Sequence, residues 1–345
     1  MKKLFELLKQ SLLEQEDVVL VTVIASSGST PRGAGARMLV NRHGRLYGTI
    51  GGGAIEYQAQ QRAADILVNK KSYLKGYKLT SGQVEDLGMI CGGDVVVYFQ
   101  FIDAAERRNL SLVELILSLF DRDEDAWLIT DISDETAWSM GIYSKSEGAV
   151  GLPLEPEQLK PLLASRAVQV NLGVKRYYAE PLVRAGRVIV FGGGHVAQEL
   201  VPVLTHVGFR CLVMDDRPEF ANRSLFPTAH EIVVGDFQRI DDYIKITEND
   251  YVVVVTRGHH FDRIVTEQVL RKKTAYVGVI GSREKIAQTK ARLEEAGIPG
   301  EALERVHAPI GLPIKAETPA EIAISIAGEL ILVRAERLEQ VREMV

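Results

Sequence analysis

The chain has 345 residues, 46% of them hydrophobic and 25% charged, and a formal net charge of −5. That length accommodates two domains of ordinary size, and the negative balance argues against a general nucleic-acid binder, which would be basic. No apolar run reaches the ~18 residues of a membrane span, and two cysteines, Cys91 and Cys211, make no disulfide framework, which suits a reducing cytoplasm.

The opening MKKLFELLKQSLLEQED interrupts its apolar residues with Glu6, Lys9 and Gln10 and offers no small-residue cleavage site. It reads as an amphipathic helix with Leu4, Phe5, Leu8 and Leu12 on one face, not as a signal peptide. DVVLVTVIAS (17–26) is a near-continuous apolar strand, and ARMLVN (36–41) and LYGTIGGG (46–53) are parted by the turn signal His43-Gly44. AIEYQAQQRAADILVNK (54–70) is a helix opening straight after three glycines. YLKGYKLT and DVVVYFQFI return to strand character, LSLVELILSLFDR (110–122) is apolar at helical spacing, and DAWLITDI and SMGIYS read as a strand pair. Residues 151–186 contain Pro153, Pro156, Pro161 and Pro181 and read as a connecting segment, with residues 1–150 as a mixed α+β domain before it.

From Arg187 the pattern becomes β-α-β-α. Continuous apolar strands are expected at RVIVF (187–191), RCLVMDD (210–216), EIVVGD (231–236), DYVVVVTRG (250–258) and AYVGVIGSR (275–283), with a short VHAPIG (306–311) after them. Helices are expected over VAQELVPVLTHVG, Phe261–Lys272, EKIAQTKARLEEAG and from Pro319 beyond Arg337. This alternation implies a parallel sheet covered on both faces, so residues 187–345 read as a Rossmann-like doubly wound domain. The fold class is α/β, with ligands expected outside the carboxyl ends of the strands.

VIVFGGGHVAQEL supplies Gly192-x-Gly194-x-x-Ala197, the spacing of a tight strand-to-helix turn that lets the backbone approach a pyrophosphate. Asp215 ends the next strand, placed for a ribose hydroxyl pair, while Arg217 leaves a 2′-phosphate open. The bland alternative is that these glycines serve close packing alone. Further polar residues fall at strand ends: His195, Thr256, Arg257, His259, His260, Asp262, Ser282, Arg283, Lys285 and His307. Surface loops are polar anyway, and a metal site from His195, His259 and Asp262 lacks a tight ligand motif. In the first half, SSGSTPRGAGARM (26–38) offers Ser29, Thr30, Arg32 and Arg37 to an anionic group. It has no Gly-Lys-Ser/Thr and is not a P-loop. Gly51, Gly52 and Gly53 lead into a helix N-terminus, a second anion cradle. Glu56 in that first turn serves either the helix dipole or acid–base work. Cys91 precedes its strand, with Gly92 and Gly93 leaving room around the sulfur, whereas Cys211 sits inside a strand as a core residue would.

GSTPRGAGARM, GTIGGGAIE and CGGDV, followed by VFGGGHVA, DDRPEFA, TRGHHFD, GVIGSREK and HAPIGLPIKAETPAEIAISI, resemble the XdhC/CoxI family of xanthine dehydrogenase accessory factors. The resemblance covers nearly the whole chain in the family's order. It implies a maturation chaperone more than an enzyme: a protein that binds the molybdenum cofactor (molybdopterin), supports its sulfuration with a cysteine desulfurase and delivers it to a xanthine dehydrogenase-type apoenzyme. Such proteins often carry the name xanthine dehydrogenase, but two cysteines cannot supply even one Cys₄ iron–sulfur site. The resemblance makes Cys91 a soft-ligand contact for molybdenum, the loops at 28–37 and 48–56 holders of the pterin phosphate, and the second domain a holder of a nucleotide tail or of a separate nucleotide such as NAD. The competing readings are an NAD-dependent oxidoreductase with His259 or His195 as acid/base and a nucleotide-sensing module. Strand edges in the N-terminal domain suggest a homodimer.

Overall fold

A computed structural model describes residues 1–28, 33–79, 93–134 and 139–344. Two compact units emerge, Met1–Arg184 with Leu338–Val345, and Ala185–Arg337.

The first unit runs α1 (Lys2–Leu13), β1 (Val18–Gly28), β2 (Arg37–Asn41), β3 (Gly44–Gly48), α2 (Gly53–Asn69), β4 (Tyr73–Leu79), β5 (Gly93–Ile102), α3 (Arg107–Arg122), β6 (Ala126–Asp131), β7 (Ser139–Ser144), β8 (Gly148–Val150), α4 (Pro156–Leu159), β9 (Val168–Leu172) and β10 (Lys175–Val183). Among the described residues its strands form two antiparallel sheets, in the orders β3-β2-β1-β5-β4 and β8-β7-β6-β10-β9. The apolar run of β1 has a direct cause. Val19, Val21 and Val23 pack on Ala59, Ala63 and Ile66 of α2. Val18 and Leu20, on the opposite face by strand alternation, pack with Leu4, Phe5 and Leu8 of α1 and with Val113 and Ile116 of α3. A strand covered on both faces has no polar side to show.

Residues 151–186 differ from the sequence expectation of a plain connection. Residues 168–183 make the hairpin β9–β10, and β10 pairs with β6 through Tyr177–Asp131 and Ala179–Ile129. Pro181, which masks the strand in the sequence, lies where the β10–β6 register shifts between Pro181 and Val183. A bulge is where a sheet tolerates a residue with no N–H to donate.

The second unit runs β11 (Val188–Phe191), α5 (His195–His206), β12 (Cys211–Asp215), β13 (Glu231–Val234), a 3-10 turn (Phe237–Asp242), β14 (Tyr251–Val254), α6 (His259–Leu270), β15 (Tyr276–Val279), α7 (Arg283–Glu295), α8 (Gly300–Glu304), β16 (Val306–His307) and α9 (Pro319–Met344), of which the part to Arg337 belongs here. Its sheet is wholly parallel in the order β13-β12-β11-β14-β15-β16. One face packs Val188 and Val190 against Leu200 of α5 and Ile326 of α9. The other packs Ile189 and Phe191 against Val265 of α6 and Leu293 of α7. Helices on both faces explain why strand after strand is apolar throughout. The order reverses at β11, so the crevice at the carboxyl ends of β11 and β14 is where such a sheet receives ligands.

Candidate functional site

All the strand-end residues singled out in the second unit fall at one edge of its sheet, because every strand there is parallel. The three glycines after β11 divide their work. Gly192 has φ 109°, and a Cβ there would fall far inside contact distance of the Val255 carbonyl. A Cβ on Gly193 would overlap the Phe220 carbonyl in the same way. Gly194, by contrast, faces open space and is the N-cap of α5. Two glycines therefore serve packing, and the third leaves the helix N-terminus and its unpaired N–H groups accessible. His195 is the exposed first residue of that helix.

Asp215, expected at a ribose, is engaged by the glycine turn and by Arg217. It is 1% exposed, and its carboxylate accepts from the Gly193 N–H at 2.8 Å, the Arg217 N–H at 3.1 Å and Arg217 Nε at 2.9 Å. It ties the glycine turn to β12. The neighbouring Asp216 pairs with Arg257 Nη2 at 2.8 Å, and the Arg257 guanidinium lies over the Phe261 ring. Burial pushes the Asp216 carboxyl up, with the Asp215 charge adding to it and Arg257 opposing. For Asp215 burial also pushes up, but the hydrogen bonds from Arg217 and Gly193 together hold it below its ordinary 3.8. A depressed folded-state value means stabilisation that is complete above the unfolded value and lost as the pH falls through the folded one. Asp215→Asn is expected to cost about 1–3 kcal/mol near neutrality. In urea titrations its gap to the unmodified protein should close as the pH is taken below about 4; a gap that stays constant would show that the charge of Asp215 contributes nothing.

In the first unit, Gly51, Gly52 and Gly53 all have positive φ (137°, 77° and 59°), and Gly52 is the N-cap of α2 with open space where a Cβ would stand. Glu56 is not poised as an acid or base. It is buried, and it folds back over the loop. Oε1 accepts from Arg45, and Oε2 accepts from the Thr49 hydroxyl, the Ile50 N–H at 3.3 Å and the Gly52 N–H at 3.2 Å. Its carboxylate shapes the glycine turn from within. Arg37 likewise is no surface anion ligand: its side chain is 2% exposed and ion-paired with Glu180 of β10. Sequence reasoning misses Glu180, Arg45 and Thr49. For Glu180 the available signal is an acid at an otherwise buried position of YYAEPLV, which demands a buried cation.

Ser29, Thr30, Arg32 and Cys91 lie outside the described residues, as do the side chains of His259 and Arg283, whose backbones open α6 and α7. Cys211 is buried within β12 and its thiol is pushed up to about 12 by burial, which keeps it protonated and inert. Asp262 is held by Thr256, whose N–H and hydroxyl donate to Oδ1 at 3.0 and 2.6 Å. Among the described residues no group of three or more His, Cys, Asp or Glu is disposed to hold a metal ion, and no helix is long and apolar enough to cross a membrane.

A Rossmann-like parallel sheet with an open glycine turn, joined to an antiparallel α+β unit, defines a class of two-unit α/β protein. Within that class the chain belongs to the XdhC and CoxI family: the family described as XdhC and CoxI matches residues 11–78, and the XdhC Rossmann domain matches residues 188–330. The chain is 28% identical over 340 residues to a probable xanthine dehydrogenase subunit of Bacillus subtilis, covering 96% of this chain and 97% of that one. It is 21% identical over 332 residues to the molybdenum cofactor insertion chaperone PaoD of Escherichia coli, covering 96% and 87%. The crystal structure of a xanthine dehydrogenase from Bacillus halodurans shares the fold with a TM-score of 0.72 at 23% identity, over 96% of both chains.

Proposed function

We propose that this chain is a maturation chaperone that binds the molybdenum cofactor, supports its sulfuration by a cysteine desulfurase and delivers it to a xanthine dehydrogenase-type apoenzyme. The observation that carries this reading is the end-to-end likeness to a molybdenum cofactor insertion chaperone, 96% of this chain against 87% of PaoD. The cofactor is cargo here, a pterin dithiolene with an anionic tail. The geometry suits an anion at three glycine N-caps, one of them Gly258 at the start of α6. Gly52 and Gly194 both stand as N-caps with no atom where a Cβ would lie, so a phosphate can approach the first-turn N–H groups of α2 or α5. The end-to-end likeness to a molybdenum cofactor insertion chaperone is what favours this reading over the oxidoreductase. In this reading Cys91 supplies the soft sulfur that molybdenum prefers.

The test is to purify the protein from a cofactor-sufficient host and measure molybdenum and the fluorescent oxidised pterin. Both should co-purify with the unmodified chain. Cys91→Ala should keep the pterin-binding fold and lose molybdenum or apoenzyme activation by about tenfold or more. Unchanged molybdenum content and unchanged activation would remove Cys91 from the site. Hydride transfer to NAD with a small substrate would replace the chaperone reading.

A further inference from the structure

The carboxyl end of β16 carries a side-chain cluster that the chaperone reading does not use. His307 is the last residue of β16 and pairs with Gly278 of β15. Its Nδ1 lies 3.1 Å from Oε1 of Glu329 on α9. Oε2 of the same carboxylate accepts the Gly311 N–H at 2.9 Å and the Tyr276 hydroxyl. The Tyr276 and His307 rings lie 4.5 Å apart at 37°, and a Cβ on Gly278 would strike the Tyr276 hydroxyl and Ile310. Glycine at that position is what admits the tyrosine ring between strand and helix.

The protonation pattern of the cluster follows from its donors. Burial pushes the Tyr276 phenol far up, so it stays a neutral donor. Burial also pushes Glu329 up, but the hydrogen bonds from His307, Tyr276 and Gly311 outweigh it and hold the carboxyl below its ordinary value. Glu329 is then an acceptor only. Its partner nitrogen Nδ1 must carry the hydrogen, and in the neutral ring that leaves the lone pair on Nε2. The Glu329 side chain is 12% exposed and that of His307 is 39% exposed. The carboxylate is the more buried partner, and the half-exposed histidine that it orients stands at the carboxyl end of β16, two strands from β14.

We propose that His307 Nε2 is a ligand-reading acceptor of the second unit, with Glu329 as its positioning residue, and that it takes a hydrogen bond from a ring amide N–H of a bound heterocycle, the group a pterin presents. The choice of pterin rests on the function proposed above; the tautomer does not. A tautomer-locked acceptor discriminates, because a ring offering a lone pair at that point would leave two acceptors facing each other.

Nitrogen-15 NMR of the full chain, at a pH where the ring is neutral, should show His307 as the Nδ1–H tautomer, and Glu329→Gln should shift it toward Nε2–H. An Nε2–H ring in the unmodified protein overturns the assignment. His307→Asn keeps an N–H for Glu329 and removes Nε2. It should unfold at the same urea concentration as the unmodified protein but bind molybdopterin, read by the fluorescence of the oxidised pterin, about tenfold more weakly. Equal binding by both overturns His307 as a ligand contact while leaving the chaperone reading intact. Absence of pterin from the unmodified protein overturns the chaperone reading and the pterin as ligand together.

Discussion

Glu180→Ala is expected to destabilise the first unit by about 3–5 kcal/mol, the cost of stranding one member of a buried ion pair. Arg37 lies in β2 and Glu180 in β10, so the pair joins the two antiparallel sheets of that unit. The guanidinium has little else to rely on: Nε and Nη1 are buried without a hydrogen-bond partner. Its charge is therefore met by Glu180 through Nη2. The surroundings are built around the carboxylate. Gly35, with φ 92°, leaves room where a Cβ would come within 2.5 Å of Glu180 Oε2. Burial, then the neighbouring Glu180 charge, pushes the Tyr178 phenol up and keeps it neutral. Both tryptophans, Trp127 and Trp138, fall within residues 1–184, so tryptophan fluorescence in urea reports this unit. The double variant Arg37→Met/Glu180→Leu should recover most of the loss, since apolar residues of similar volume replace a buried pair with little net cost. A Glu180→Ala protein as stable as the unmodified one would mean that water reaches the guanidinium and that the pair holds nothing together.

The second unit is more legible in the sequence than the first, for physical reasons. VIVF, YVVV and YVGV carry no charged residue, and CLVMD carries only its terminal Asp215, because helices cover both faces of the sheet, so strand character needs no alternation to be seen. The hairpin over 168–183 hides behind Pro181, which a strand accepts only at such a register shift. Residue types at the site are legible; their directions are not. Asp215 stands out by its place at a strand end, yet whether such a carboxylate faces outward or back into the turn depends on the Gly193 N–H and on Arg217, which close over it. Glu56 is visible at a helix start, and its helix places it correctly. Its partners come from the loop before the helix, Thr49, Ile50 and Gly52, a geometry set by three positive-φ glycines and not by residue spacing. His307 is recognisable as a strand-end histidine; Glu329, which gives it a direction, is 22 residues further along the chain.

Gly192→Ala and Gly194→Ala, two residues apart in one motif, are expected to fail in opposite ways. Gly192 has φ 109°, where an alanine is strained, and the added methyl would overlap the Val255 carbonyl. That carbonyl follows β14, which pairs with β11 in the middle of the sheet, so neither strand can retreat without breaking ladder bonds. The expected loss is about 3 kcal/mol or more, read as faster amide hydrogen exchange in β11 and β14. Gly194 has φ −71° and open space at the Cβ position, so alanine there should cost no more than about 1 kcal/mol, the difference between glycine and alanine as an N-cap. Its methyl would instead stand over the N–H groups of α5, in the path of any anionic tail approaching the helix N-terminus. Pterin retention by Gly194→Ala should fall by about tenfold, equivalent to 1.4 kcal/mol, with hydrogen exchange in β11 and β14 unchanged. A folded Gly194→Ala protein that retains pterin as well as the unmodified chain would move the tail away from α5. The tail would then belong at another open glycine N-cap, Gly52 of α2 or Gly258 of α6.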